Sequence, residues 1–309
     1  MLKKITIMAK YVLYLLGLTG FLLSGPVFAD PPKTPETRDY ILWYRNYDNP
    51  AIYALVRLAL EKTPEYGAFN LLRSVELSQG RVLRELAGEN HKLVTIANVA
   101  TTPEREAILS AIPIPIDGGL LGFRVCLVLP EALPRFSGIK NIADFETHQI
   151  RIGQGTHWPD TPILENNGIQ VVTHARYEIL FGMLKNHRFE CFARGISEVM
   201  FDMEHSHAEG LVIEPNLLLA YAMPSYLFVA RTDLDAAHRL QLGLERAIID
   251  GSFAKYLKRS FGKAISELGL ERRTVIALDN PYLTEDSEYV ARHILENLRR
   301  RIEYMTSKE

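Results

Sequence analysis

Residues 99–106 read VATTPERE, and the reading of this stretch decides the architecture. The apolar run KLVTIANV (92–99) leads into it, and the residues from Thr102 onward carry the marks of a helix start. Thr102 is a good N-cap residue, Pro103 suits the first helical position with its fixed φ, and Glu104 favours the positive end of the helix dipole. A strand delivered directly into a helix is the unit of an α/β fold. Local structure does not account for Arg105, however, because a cation in the first turn opposes the dipole. It is placed either towards solvent or towards an anion.

The same alternation continues outward. AIYALVRLALEKT and SQGRVLRELAGEN have apolar residues at helical spacing, FNLLRSV reads as a strand, and YILWYR and NYDNPA read as a β-rich run and a turn cluster. A second series begins at FSGIKNIADFETHQIRIGQG and includes GIQVVTH, YEILFGMLKNH, ECFARG and GLVIEP; SYLFVARTD then leads into helices that run to the end. Alternation of this kind predicts mostly parallel sheets flanked by helices. The restart predicts two lobes joined by crossing segments near residues 127–132 and 226–231. The expected division is a first lobe over 30–128, a second over 129–228, and a return to the first lobe with C-terminal helices over 229–309. One continuous sheet is the alternative.

Ahead of this lies YVLYLLGLTGFLLSGPVFA (11–29), preceded by Lys3, Lys4 and Lys10. A basic start, an apolar run and small residues at Val27 and Ala29 are expected of a secretory signal peptide over residues 1–29. An uncleaved anchor is the alternative, against which stand the helix breakers Gly25 and Pro26. Cleavage removes three lysines and no acid, leaving 280 residues with 32 basic against 37 acidic side chains. That balance disfavours nucleic acid as a partner. The expected location is the periplasm. Cys126 and Cys191 sit in separate apolar strands, FRVCLVL and FECFA, and read as plain core residues more readily than as a disulfide, although an oxidising compartment permits one.

RIGQGTHWPDTP places Gly153, Gly155 and Thr156 directly after a strand, where backbone N–H groups and a hydroxyl can approach a ligand. LERAIIDGSFAKYLKRSFG reads as a helix, a C-cap glycine at Gly251 and a second helix, an architectural pair. TTPER after its strand, the GxGT turn some 50 residues later and this helical pair stand in the order and spacing of the bacterial extracellular solute-binding proteins of family 3. The chain resembles these type 2 periplasmic binding proteins over about residues 38–263.

The resemblance implies two α/β lobes closing on a small carboxylate-bearing solute, an amino acid or a relative, in a monomer that serves a membrane transporter permease or a membrane sensor. It places the carboxylate grip on Arg105, whose planar guanidinium offers two parallel donors. It also places supporting contacts on Asn98 and Ala100, a covering aromatic on Tyr47, and second-lobe contacts on Thr156 and His157. There are departures. The acidic residue that receives the ammonium group falls on Gly195, with Arg194 beside it and Glu198 one turn further; Leu93 replaces the strand aspartate, and Ala100 offers only its backbone where a hydroxyl is usual. Arg194 and Glu198 therefore join the candidate set, with an acidic or peptide-like ligand as the alternative to an α-amino acid. A dehydratase-like enzyme on the same fold would use Glu198 as its acid. No motif asks for a cofactor or a metal: Asp202, Glu204, His205 and His207 in DMEHSHAEG read as a solvated polar loop, and Arg299, Arg300 and Arg301 complement the dipole of a final helix opened by Thr284.

Overall fold

The computed structural model describes residues 37–282 except 89–92 and 205. The signal segment, His205 and the final helix expected from Thr284 lie outside the described residues.

The first series runs β1 (Arg38–Leu42), α1 (Tyr44–Asp48), α2 (Pro50–Glu61), β2 (Phe69–Arg73), α3 (Gln79–Ala87), β3 (Ala97–Ala100), α4 (Pro103–Ile108) and β4 (Leu109–Ile112). The second runs β5 (Phe123–Val128), α5 (Ala143–Thr147), β6 (Ile152–Gly155), α6 (Asp160–Asn166), β7 (Val171–His174), α7 (Tyr177–Lys185), β8 (Cys191–Gly195), α8 (Val199–Met203), β9 (Val212–Ile213) and β10 (Leu217–Ala220). Then come β11 (Ser225–Ala230), α9 (Leu234–Ile249), α10 (Ser252–Leu268) and β12 (Thr274–Ala277).

Local chemistry explains the helix starts. The Thr102 hydroxyl accepts from the Arg105 amide at 3.3 Å, with Pro103 in the first turn of α4. The expected turn NYDNPA is instead the end of the short helix α1 followed by a cap: Asn49 Oδ1 accepts from the amides of Ala51 and Ile52, and Pro50 opens α2.

Parallel pairs join β1 to β2, β6 to β7 and β8, and β10 to β12. The strands next to the crossings run the other way. β11 lies antiparallel between β3 and β4, and β5 lies antiparallel to β8, β9 and β10 within a seven-stranded sheet ordered β12-β10-β5-β8-β6-β7, with β9 on β5. A strand that enters a sheet directly from the other half arrives without a crossover helix to reverse it, and antiparallel pairing is the result. The passages between sheets are residues 113–122 and 221–224, ahead of the segments expected from sequence, because β5 already belongs to the second sheet. A strand not anticipated, β12, brings the chain back to that sheet after α10. Arg273 pins this return, donating to the carbonyls of Leu268, Glu214 and Leu217 at 2.6–2.9 Å.

The first half buries the apolar faces of α2 and α9 against each other and against Tyr40, Leu42 and Leu227. Each such Leu or Val contributes roughly 1.5–3 kcal/mol relative to exposure. Arg239 is buried in the same half, its guanidinium donating to Thr63 Oγ1, Tyr40 Oη and the carbonyls of Leu60 and Gly67.

The two passages run side by side. The Tyr221 amide donates to the Gly122 carbonyl and the Ile116 amide to the Ser225 carbonyl, each at 3.0 Å. A Cβ at Gly122 would lie 2.1 Å from the Tyr221 carbonyl oxygen, so the paired backbones can approach only at a glycine. Gly122→Ala is expected to destabilise the fold by about 1–3 kcal/mol through this clash, read from denaturant unfolding; an unchanged midpoint would show that the passages can part freely.

The cysteines correct the sequence reading. Cys126 on β5 and Cys191 on β8 form a disulfide, with Cα atoms 5.0 Å apart at a sequence separation of 65. Because β5 and β8 are neighbours in the sheet, two core strands remote in sequence become adjacent. Replacing both cysteines by alanine should lower stability by about 2–4 kcal/mol, and loss of that increment on reduction of the parent would be the matching observation. Equal unfolding midpoints for parent and double variant would contradict it.

Candidate functional site

A cavity of about 260 Å³ lies between the two halves, at the ends of β3 and β8 and against the turn that follows β6. Crevices beyond strand ends are where open α/β sheets expose loop amides and side chains to a ligand.

From the first half, α1 and the residue before it supply Trp43, Tyr44 and Arg45, β3 supplies Asn98 and Ala100, and β11 supplies Ser225. Trp43 is fixed by its indole N–H, which donates to the Leu77 carbonyl at 2.9 Å. Asn98 is fixed from three sides: its amide donates to Asn46 Oδ1, and its Nδ2 donates to Ser225 Oγ at 2.7 Å and to the Tyr226 carbonyl at 2.9 Å. The carbonyl can only accept, so the carboxamide nitrogen must face it.

From the second half come Arg124, Trp158, Asp160, Tyr177, Glu178, Arg194 and Glu198. The charges form one network. Arg194 Nε lies 2.5 Å from Asp202 Oδ2 and its Nη2 3.1 Å from Glu198 Oε2. Arg124 Nη2 lies 2.7 Å from Asp160 Oδ1, its Nη1 3.4 Å from the same Glu198 oxygen, and its Nε donates to Tyr221 Oη at 3.1 Å. Tyr221 donates to Asp160 at 2.5 Å and Tyr177 donates to Asp202. Burial works against both guanidinium charges, but the adjoining carboxylates outweigh it and raise both pKa values. Burial also works against the Glu198 carboxylate, and Arg194, Arg124 and Arg45 outweigh it, holding Glu198 below the ordinary glutamate value. Asp160 and Asp202 are almost fully enclosed, whereas the Glu198 side chain stays 31 % exposed.

Arg45 differs from these. Its guanidinium lies 3.8 Å from the Tyr177 ring centroid and within cation–π reach of Trp43 and Trp158, and it has no hydrogen bond or ion pair with any described residue. Nearby, Tyr44 spans the cleft and donates to Glu178 Oε1 at 2.8 Å. Trp43, Tyr44, Arg45, Trp158, Tyr177 and Glu178 also line an adjoining recess of about 300 Å³.

Of the eight residues expected from sequence, Asn98, Ala100, Arg194 and Glu198 line the cavity, and Arg105, Tyr47, Thr156 and His157 do not. Tyr47, one turn along α1, packs edge-on against Tyr53 at 4.9 Å, and Trp43 and Tyr44 take the aromatic wall instead. Thr156 is exposed, and the His157 ring sits over Gly80 of α3. Arg105 is buried, and the grip on a ligand carboxylate expected of it is replaced by protein acceptors: Nη1 donates to the Ala100 carbonyl, and Nη2 donates to Gln79 Oε1 at 3.1 Å and to the His157 carbonyl at 2.6 Å. It joins the two halves. Burial lowers its pKa to about 10.

Gly195 has a spatial reason: a Cβ there would lie 2.7 Å from Arg124 Nη1, so the arginine occupies the space that a side chain would need. Reasoning from sequence missed Arg124, Asp160, Tyr177 and Arg45. The available signal for Arg124 was a charge inside the otherwise apolar strand FRVCLVL, and for Arg45 the end of a run read as strand.

No protein-family profile and no curated protein sequence matches the chain. Solved structures do. An ancestral arginine-binding protein bound to arginine is similar with a TM-score of 0.54 at 12 % identity, over 74 % of this chain and 99 % of that one. An amino acid ABC transporter substrate-binding protein from Streptococcus pneumoniae, bound to L-arginine, gives 0.54 at 13 % over 72 % and 93 %. A histidine kinase sensor domain with similarity to periplasmic binding proteins gives 0.53 at 11 % over 74 % and 97 %. At these identities the likeness is one of architecture, and that architecture is the two-lobed α/β fold of the periplasmic binding proteins.

Proposed function

We propose that this chain is a periplasmic solute-binding protein whose halves close on a small carboxylate-bearing solute, an amino acid or a relative, for delivery to a membrane transporter. The observation that carries the reading is the cavity itself, in which Arg45 and Asn98 from one half face Arg194, Glu198 and an aromatic wall from the other. A ligand touching both halves has differential affinity for the closed state and so drives closure. The disulfide supports an oxidising compartment outside the cytoplasm. Among the described residues no helix is long and apolar enough to cross a membrane.

Arg105 serves this function as a clasp between the halves. The likeness to a kinase sensor domain supports a second output, in which the closed form acts on a membrane signalling partner. Dehydratase chemistry is disfavoured by Glu198: a carboxyl held in its charged form by two arginines is a poor proton donor at neutral pH. Its depressed pKa gives a stabilising contribution present above the ordinary glutamate value and lost as pH falls through the folded-state value.

A thermal-shift screen of amino acids, organic acids and short peptides tests the reading. A true ligand at a hundred times its dissociation constant should stabilise the fold by about 2.7 kcal/mol, and a screen with no stabilising compound would refute solute binding. Arg105→Ala should weaken the ligand found by about 1.5–3 kcal/mol, the worth of a charged hydrogen-bond set, and should leave the liganded protein more open in small-angle scattering. Unchanged affinity and compactness would remove the clasp role.

A further inference from the structure

We infer that Arg45 is the anion receptor of the cavity, and that the cavity selects a solute with one negative group and a cationic or N–H-rich remainder, excluding dicarboxylates. This rests on the solute-binding reading above.

The polar capacity left after the protein has satisfied itself decides what the cavity can receive. Arg124 and Arg194 lie deep and are committed to Asp160, Asp202 and Glu198 at 2.5–3.4 Å. A ligand anion reaching either would have to displace a carboxylate already in place. Arg105 is committed to carbonyl groups and Gln79. Among the described residues lining the cavity, Arg45 is the arginine without such a partner, and its contacts are to ring faces. Its position over the Tyr177 ring, 3.8 Å from the centroid, holds the guanidinium in place while its N–H groups remain unspent on protein acceptors, an arrangement suited to recognition of a carboxylate.

Acceptors are in excess. Glu198 is the network carboxylate that stays partly exposed, and its two arginine contacts fall on one oxygen. Glu178 takes the Tyr44 hydroxyl and has no cation within ion-pair distance among the described residues. Asn98 spends both Nδ2 hydrogens on Ser225 and Tyr226, which leaves its carboxamide oxygen as an acceptor. A second negative group on the solute would meet Glu198 or Glu178 with no free cation to receive it, and like charges placed together oppose binding. An ammonium, amide or guanidinium group would meet acceptors instead.

Calorimetric titration at neutral pH with L-arginine, L-glutamine, L-glutamate and glutarate, on the parent, Arg45→Ala, Arg45→Lys and Glu198→Gln, tests this, with a melting curve of each variant as the control for folding. Arginine or glutamine should bind at least about tenfold tighter than glutamate and glutarate. Arg45→Ala should cost the tighter ligand about tenfold or more, with partial recovery in Arg45→Lys. Glu198→Gln should narrow the gap between glutamine and glutamate, a change that general loosening would not produce. Glutamate or glutarate as the tightest ligand, or an Arg45→Ala protein that binds like the parent, would overturn the inference and leave solute binding standing. Absence of binding by all four, together with a negative wider screen, would overturn solute binding itself.

Discussion

Two buried arginines on paired strands set the terms for the second half of this molecule. β5 and β8 pair antiparallel with Arg124 opposite Gly195 and Val125 opposite Arg194, so both arginines lie at the same end of the strand pair, and their buried guanidinium groups meet at the shared Glu198 carboxylate. Unpaired, each would be costly to bury, and together they repel. The fold answers with three carboxylates from three different places: Asp160 at the start of α6, Asp202 on α8, and Glu198, one of whose oxygens lies between the two cations. Those demands fix where α6 and α8 begin and run relative to the sheet. The wall of the cavity is set by them in turn, because Trp158 precedes Asp160 and Tyr177 binds Asp202.

Much of the architecture was legible in the sequence, and the rest was hidden for a physical cause. Periodicity located the helix that follows Asn49-Pro50, and cap signals located the one opened by Thr102-Pro103, since both depend only on neighbours along the chain. Strand direction does not. FRVCLVL looks the same whether it closes a first sheet or opens a second, and so the crossings were expected too late. The disulfide was illegible for the same reason: the adjacency of Cys126 and Cys191 is a property of sheet order, which the spacing of 65 residues does not reveal. β12 was lost in a segment read as helical, although Thr274, Val275 and Ile276 form a β-branched run of the kind that strands prefer.

Half of the residues expected from sequence line the cavity. Asn98 and Ala100 follow from the strand into which the motif is built, and Arg194 and Glu198 from the strand end opposite, so four of the expected residues reach the cavity wall. A motif fixes where a side chain originates, and the acceptors that it meets depend on how closely the other half approaches. The His157 carbonyl lies within 2.6 Å of Arg105 because the turn after β6 rests on α3, with the His157 ring over Gly80. Once that carbonyl and Ala100 had claimed the guanidinium, the cation left without a protein acceptor in the cavity was one that no motif marked, near the start of a five-residue helix.

Beside the packing of the His157 ring on Gly80, three polar contacts join the halves around the cavity among the described residues: the Tyr44 hydroxyl on Glu178, Arg105 on the His157 carbonyl, and Arg45 over the Tyr177 and Trp158 rings. A neutral hydrogen bond is worth about 0.5–1.5 kcal/mol net, one to a charged group about 1.5–3, and a cation–π contact about 0.5–2. Their sum is of the same order as the roughly 5.5 kcal/mol that carries a two-state equilibrium from one part in a hundred to its reverse. For the solute binding proposed above, such contacts are too weak to lock the halves together and strong enough for one well-placed ligand to decide the balance. Two of the three contacts use residues that also line the cavity, so a ligand engaging Arg45 or Glu178 alters the groups that hold the halves together. The proposed binding would couple occupancy and closure through the same side chains, without any relay between distant sites.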